Sequence, residues 1–161
     1  MKSEFQKSID LAISYSEKPI LIIGNNGDGK ASYLKNNYKS YFRSASLDLI
    51  ENSEKKLPKW YEAFCSLCSE NKNEKFLLVF DEFDKLDSEK ISNFISMFIN
   101  AESDKKLLPQ NASLVAVASG ANSEFSKTYE QYIPYFSVVI GYDKNNVLVD
   151  FGDISKNTKT K

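Results

Sequence analysis

The sequence contains no histidine, and of its 21 basic residues only one, Arg43, is an arginine. Without imidazole there is no Ser/His/Asp triad, no Cys/His nucleophile and no histidine-ligated metal. With one guanidinium there is no cluster that forks onto carboxylates or phosphates. Cysteine is equally sparse, with Cys65 and Cys68 the only two. They form a C-x-x-C with no second pair to complete a zinc site, inside residues 58–70, which read as a helix with Pro58 in its first turn. A spacing of three puts both thiols on one helix face, so buried structural cysteines in a reducing compartment are expected rather than a redox pair. Long apolar runs are missing too. Runs such as residues 20–23 and 76–80 are far too short to span a bilayer, and the opening Met1-Lys2-Ser3-Glu4-Phe5 has no apolar h-region. A cytoplasmic protein without membrane insertion is expected. A net charge of −1 gives no general electrostatic reason to bind nucleic acid or an anionic membrane.

What is present is apolar material for one ordinary core, 42% of 161 residues. Residues 1–152 read as one domain, followed by a polar tail, 153–161, that is expected to be frayed. Phe5, Ile9, Ala12 and Ile13 recur at helical spacing, and Pro19 then introduces a strand at 20–23. Helices are expected at 30–38 and 58–70, and another, carrying Ile91, Phe94, Ile95, Phe98 and Ile99, begins at Asp87 or Ser88 as N-cap. A short helix is expected at 122–132. Further strands are expected at 41–47, 76–80, 113–119, 136–142 and 146–151. The run at 76–80 is apolar throughout, as suits a strand covered on both faces of a parallel sheet. Strands alternating with helices indicate an α/β three-layer sandwich with a mainly parallel sheet.

Two motifs carry chemistry. Gly24-Asn25-Asn26-Gly27-Asp28-Gly29-Lys30 fits G-x-x-x-x-G-K and sits after a buried strand and before a helix. Glycines let successive N–H groups turn inward onto phosphate oxygens, the helix N-terminus adds its dipole, and Lys30 reaches toward the β- and γ-phosphates. The position after the lysine, which ordinarily supplies a hydroxyl to Mg²⁺, is Ala31, and the hydroxyl comes one residue later at Ser32. One helical step turns a side chain by about 100°, so Ser32 serves the metal only if the loop is offset by a residue. The second motif is the strand 76–80 followed by Asp81 and Glu82. Acids at a strand's carboxyl end stand where ligands bind in open α/β sheets. Asp81 is placed to hold Mg²⁺ through its waters, and Glu82 to polarise an attacking water.

With both motifs in place, the chain resembles the AAA+ ATPase core over residues 5–142, and within it the MoxR-type branch. Residues 5–24 resemble that family's leading helix and its short P-φ-φ-φ-φ-G strand, where φ is apolar. Gly24 to Lys30 resembles Walker A, Leu77 to Glu82 resembles Walker B, and residues 107–122 resemble the stretch entering the sensor-1 strand. The resemblance implies ATP and Mg²⁺ as ligands and a polar sensor on the attacking water or γ-phosphate, for which Asn122 and Ser119 are the candidates. An Asn122 that simply caps the following helix is the competing reading.

The same resemblance implies an arginine finger after the sensor and a helical lid after the fifth strand. Tyr135 stands where the arginine is expected, Lys127 is the nearby cation, and residues 146–151 read as a strand rather than a lid. Two functions follow as expectations. One is an ATP-binding AAA+-like protein with weak or partner-dependent Mg-ATP hydrolysis, in which other subunits, as a homo-oligomer or as lid-bearing partners, complete the site. The alternative is a degenerate, non-hydrolysing P-loop protein that acts as a nucleotide-sensing or structural interaction module. A small P-loop kinase is disfavoured by the scarcity of arginine.

Overall fold

The computed structural model describes residues 2–25, 27–44, 59–98, 108–120, 124–142 and 146–151. Six strands, β1 (Ile20–Gly24), β2 (Lys39–Ser44), β3 (Phe76–Asp81), β4 (Ala112–Ser119), β5 (Ser137–Gly141) and β6 (Val147–Asp150), form one sheet in the order β2-β3-β4-β1-β5-β6. The first five run parallel, and β6 closes the edge antiparallel to β5. Connections are made by α1 (Glu4–Tyr15), α2 (Lys30–Asn37), α3 (Lys59–Glu70), α4 (Ser88–Phe98) and the single turn α5 (Glu124–Lys127). Among the described residues no helix is long and apolar enough to cross a membrane.

The continuous apolar runs are explained by cover on both faces. On one face Ile20 and Ile22 of β1, Leu77 and Val79 of β3, Val115 and Val117 of β4 and Val139 of β5 pack under α1 and α2. Their alternate neighbours Leu21, Ile23, Leu78, Phe80, Leu114, Ala116, Val138 and Ile140 face the opposite way, against α3 and α4. Each such Val, Leu, Ile or Phe side chain fully withdrawn from water contributes about 1.5–3 kcal/mol. The second layer is dominated by aromatic rings, among them Phe64, Phe80, Phe83, Phe94 and Phe136, all essentially without exposure.

Local signals decide where the helices start. Of the two N-cap candidates for α4, Asp87 is the cap: its carboxylate accepts from the Lys90 N–H at 2.9 Å. Helix α1 opens on a capping box that the S-x-x-Q spelling of Ser3 to Gln6 encodes, with the Ser3 hydroxyl on the Gln6 N–H and the Gln6 side chain on the Ser3 N–H. Edges follow pairing rather than hydropathy. Strand β2 begins at Lys39, two residues before its first apolar side chain, because Lys39 pairs with Phe76 of β3. The upper end of the expected strand, Leu47, lies outside the described residues, as do Pro58, Ile99 and the tail 153–161. The helix expected at 122–132 is broken into α5 and a 3-10 turn, Tyr129–Tyr132.

A buried-edge network joins α1 to α2, the helix that follows the glycine loop. The Asp10 carboxylate accepts from the Tyr33 hydroxyl at 2.6 and 2.7 Å, the Tyr38 hydroxyl at 2.5 Å and the Lys2 ammonium at 2.9 Å. Burial pushes the Asp10 carboxyl up, but the hydrogen bonds from Tyr33, Tyr38 and Lys2 outweigh it and hold the group below its ordinary value. A depressed carboxyl stabilises the fold above its unfolded value near 3.9, and that contribution is lost as pH falls through the folded value. Asp10→Asn is therefore expected to cost about 1–2 kcal/mol at pH 7. The difference from wild type should shrink in thermal melts run toward pH 3.

Candidate functional site

Strand β1 ends at Gly24 in the middle of the parallel ladder, with β4 on one side and β5 on the other, and the chain leaves it in a glycine-rich loop that returns as α2. In an open parallel sheet, such a change of direction at a carboxyl end leaves a crevice for ligands. The loop needs its glycines for definite reasons. Gly29, the residue before α2, has φ 80°, a left-handed conformation that side chains resist. A Cβ on Gly24 would fall 2.1 Å from Asp28 Oδ2. The Gly24 carbonyl accepts from the Gly120 N–H at 2.7 Å, which ties the start of the loop to the end of β4.

Lys30 is the first residue of α2 and only 7% exposed. Its ammonium donates to the Asn25 carbonyl at 3.1 Å, the Ser119 hydroxyl at 3.1 Å and Asp28 Oδ1 at 3.4 Å. The Asn25 side-chain amide in turn donates to the Tyr142 carbonyl at 3.2 Å. Asn26 lies outside the described residues. A buried ammonium whose partners are neutral oxygens and one carboxylate, at the mouth of a glycine loop, is chemically suited to an anionic group with several acceptor oxygens. The next two positions are Ala31, partly buried and without a hydroxyl, and Ser32, which is exposed.

Strand β3 delivers its acids to the same carboxyl edge. Asp81 Oδ1 accepts the Glu82 N–H at 2.8 Å. Glu82 has φ 61° in the left-handed region, the one positive φ outside glycine among the described residues. Holding a glutamate there costs on the order of 1–3 kcal/mol and needs the surroundings to enforce it. The enforcement comes from the 3-10 turn Phe83–Lys85 that follows: Phe83 is wholly buried, with ring centroids 5.2 Å from Phe94 and 5.8 Å from Phe136. The Glu82 carboxylate, itself partly exposed, pairs with the Lys85 ammonium at 2.8 Å.

That turn also brings in an acid that neither sequence motif includes. Asp84 Oδ1 accepts from the Ser119 N–H at 2.9 Å. The β3–β4 ladder ends at Phe80 and Ala116, three residues short of Ser119, so the turn is what lets an acid of the β3 loop reach the end of β4. Ser119 is thereby fixed twice, by Asp84 through its backbone and by Lys30 through its hydroxyl. An acid spaced three residues past Asp81, with an apolar anchor between them, was the available signal. Of the two sensor candidates, Ser119 stands beside Lys30, and Asn122 lies outside the described residues.

Other sequence features lead elsewhere. Arg43 stacks on Trp60, its guanidinium 4.9 Å from the ring centroid, on edge strand β2. Lys127 is exposed on α5, and Tyr135 helps line a cavity of about 350 Å³ between α4 and the 3-10 turn Tyr129–Tyr132, together with Ser88, Ser92 and Gln131. Cys65 and Cys68 are free thiols on α3, both pushed up by burial and therefore poor nucleophiles; Cys68 is buried as expected, whereas Cys65 is only partly so. Among the described residues no group of three or more His, Cys, Asp or Glu side chains is arranged to hold a metal ion.

No family model matches the chain, and none of the curated proteins matches it in sequence. Solved structures do. PCH-2 of C. elegans superposes with a TM-score of 0.50 at 12% identity, covering 88% of this chain and 40% of that one. Cdc6p of Pyrobaculum aerophilum superposes with a TM-score of 0.40 at 17% identity, covering 84% of this chain and 43% of that one. The chain therefore spans less than half the length of either. The first likeness is one of fold, and the second adds nothing to it. The α/β sandwich with a mainly parallel sheet that the sequence led us to expect is observed, and it shares its fold with PCH-2.

Proposed function

We propose that this chain binds ATP through the loop Gly24 to Lys30 and hydrolyses Mg-ATP weakly, or only when a partner chain completes the site. The observation that carries this reading is the convergence on Lys30. A buried ammonium in a glycine loop touches Ser119 at the end of β4, and Ser119 is held by Asp84 from the loop that also presents Asp81 and Glu82. In this reading the loop amides and Lys30 bind the phosphates, Ser119 reports their presence to the sheet, and Asn122 remains the other sensor candidate. Asp81, with Ser32, would hold Mg²⁺, which when bound neutralises charge on the phosphates. Glu82 orients a water for attack once it leaves Lys85, a pair too exposed to hold it strongly.

A guanidinium to neutralise the transition state has to come from another chain, since Arg43 on β2, the only arginine here, stacks on Trp60. That is the reason for including other subunits, in a homo-oligomer or with lid-bearing partners, and the resemblance over residues 5–142 is the reason for reading the chain as nearest the MoxR-type branch. Steady-state ATPase assays test the assignment. Glu82→Gln is expected to lower turnover about a hundredfold, the ordinary weight of a general base, with ATP affinity within about twofold of wild type.

A second reading has its own observation. Ala31 offers no hydroxyl and Ser32 is exposed on the following helical step. If ATP binds equally well with and without Mg²⁺ and no turnover is seen at high protein concentration, the chain is the non-hydrolysing, nucleotide-sensing or structural module instead.

A further inference from the structure

The loop that should receive a phosphate already contains an anion of its own. The Asp28 carboxylate folds back onto the loop, while the residue as a whole is exposed. Its Oδ1 accepts the Lys30 N–H at 3.1 Å and lies 3.4 Å from the Lys30 ammonium, and its Oδ2 lies against Gly24, where a Cβ would come within 2.1 Å of it. The side chain is 22% exposed. These are donors of the kind a phosphate oxygen would use, namely the first N–H of a helix and the loop lysine, offered from inside a glycine turn. A carboxylate and a phosphate are both anions rich in acceptor oxygens, and they repel each other in a partly buried pocket where screening is weak.

We propose that Asp28 is a built-in occupant of the phosphate cradle, which an incoming phosphate must displace, and that it sets the affinity of the site. The inference rests on reading Gly24 to Lys30 as a phosphate loop, and it adds that the loop competes with its own ligand. It also accounts for the closeness of Gly24 to Asp28: the glycine gives the carboxylate room to fold inward. On displacement the carboxylate moves to the solvent that it already partly meets, and Lys30 exchanges one charged partner for another.

The test is calorimetric titration of wild type, Asp28→Asn and Asp28→Thr with ATP and with inorganic triphosphate, each with and without Mg²⁺, with thermal melts to verify that all three are folded. Asparagine keeps the size of the side chain and removes its charge; threonine removes the reach as well. Both variants are expected to bind metal-free ATP and triphosphate about tenfold or more tightly than wild type, the scale of one charge-assisted contact. Equal affinities for all three proteins would overturn the competing-carboxylate proposal and leave the phosphate loop standing. Weaker binding of Mg-ATP by the variants would also overturn it, and would assign the carboxylate to the metal. Failure of all three folded proteins to bind either ligand would overturn the phosphate-loop reading along with it.

Discussion

Lys30→Met is expected to lower ATP affinity by at least about a hundredfold while leaving the fold intact. The ammonium is 7% exposed and is positioned by two neutral oxygens, the Asn25 carbonyl and the Ser119 hydroxyl, that cost little to leave. Hydrogen bonds to charged groups contribute about 1.5–3 kcal/mol each, so losing two phosphate contacts amounts to roughly 3–6 kcal/mol. At about 1.4 kcal/mol per tenfold, that is at least two orders of magnitude. Methionine keeps the apolar stem in its packed course along the start of α2. The Asp28 carboxylate left behind is already 22% exposed and can turn to water. Calorimetry with ATP reads the affinity and a thermal melt reads the fold. A folded Lys30→Met protein that binds ATP as wild type does would remove Lys30, and with it the phosphate loop, from the proposed function.

The parts legible in the sequence were those dictated by local rules. β1, β3 and β4 show as apolar runs because both their faces are covered, and the glycine spacing before Lys30 shows because left-handed turns demand glycine. The start of β2 was misplaced because an edge strand is defined by its partner, here Phe76, and not by its own hydropathy. The pairings that assemble the site were hidden for a similar reason. Lys30 meets Ser119 across 89 residues and Asp84 meets Ser119 across 35. Such contacts depend on strand order and register, which no window of sequence contains. The inward fold of Asp28 was hidden for a different reason: it spans only two residues, yet a charged residue between two glycines reads as an exposed loop position unless the loop's curvature is known.

Phe80→Ala is expected to have the largest effect on stability, and the opposite pattern to Lys30→Met. Phe80 is fully buried at the last apolar position of β3, with ring centroids 5.1 Å from Phe94 and 5.3 Å from Phe98 across to α4, and 5.7 Å from Trp60 on α3. Phe94 and Trp60 meet it nearly edge-on, the arrangement aromatic quadrupoles favour. Truncation removes the transfer free energy of the ring and leaves a void between two helices that the sheet holds apart, at a cost of about 3–5 kcal/mol. For a chain of this size each kcal/mol is worth roughly 2–4 °C, so the melting midpoint should fall by about 6–20 °C. Trp60, the only tryptophan, abuts the void and supplies a fluorescence readout of the transition. Below that transition ATP affinity should stay within about threefold of wild type, because the ring touches the α3–α4 layer and no donor of the phosphate loop. Turnover is the more sensitive quantity, since the left-handed Glu82 is enforced by Phe83, whose ring packs on the same Phe94. A midpoint within about 2 °C of wild type would show that the aromatic layer does not hold α3 and α4 to the sheet as described. A loss of affinity to match Lys30→Met, in folded protein, would show that the phosphate loop depends on the far face of the sheet.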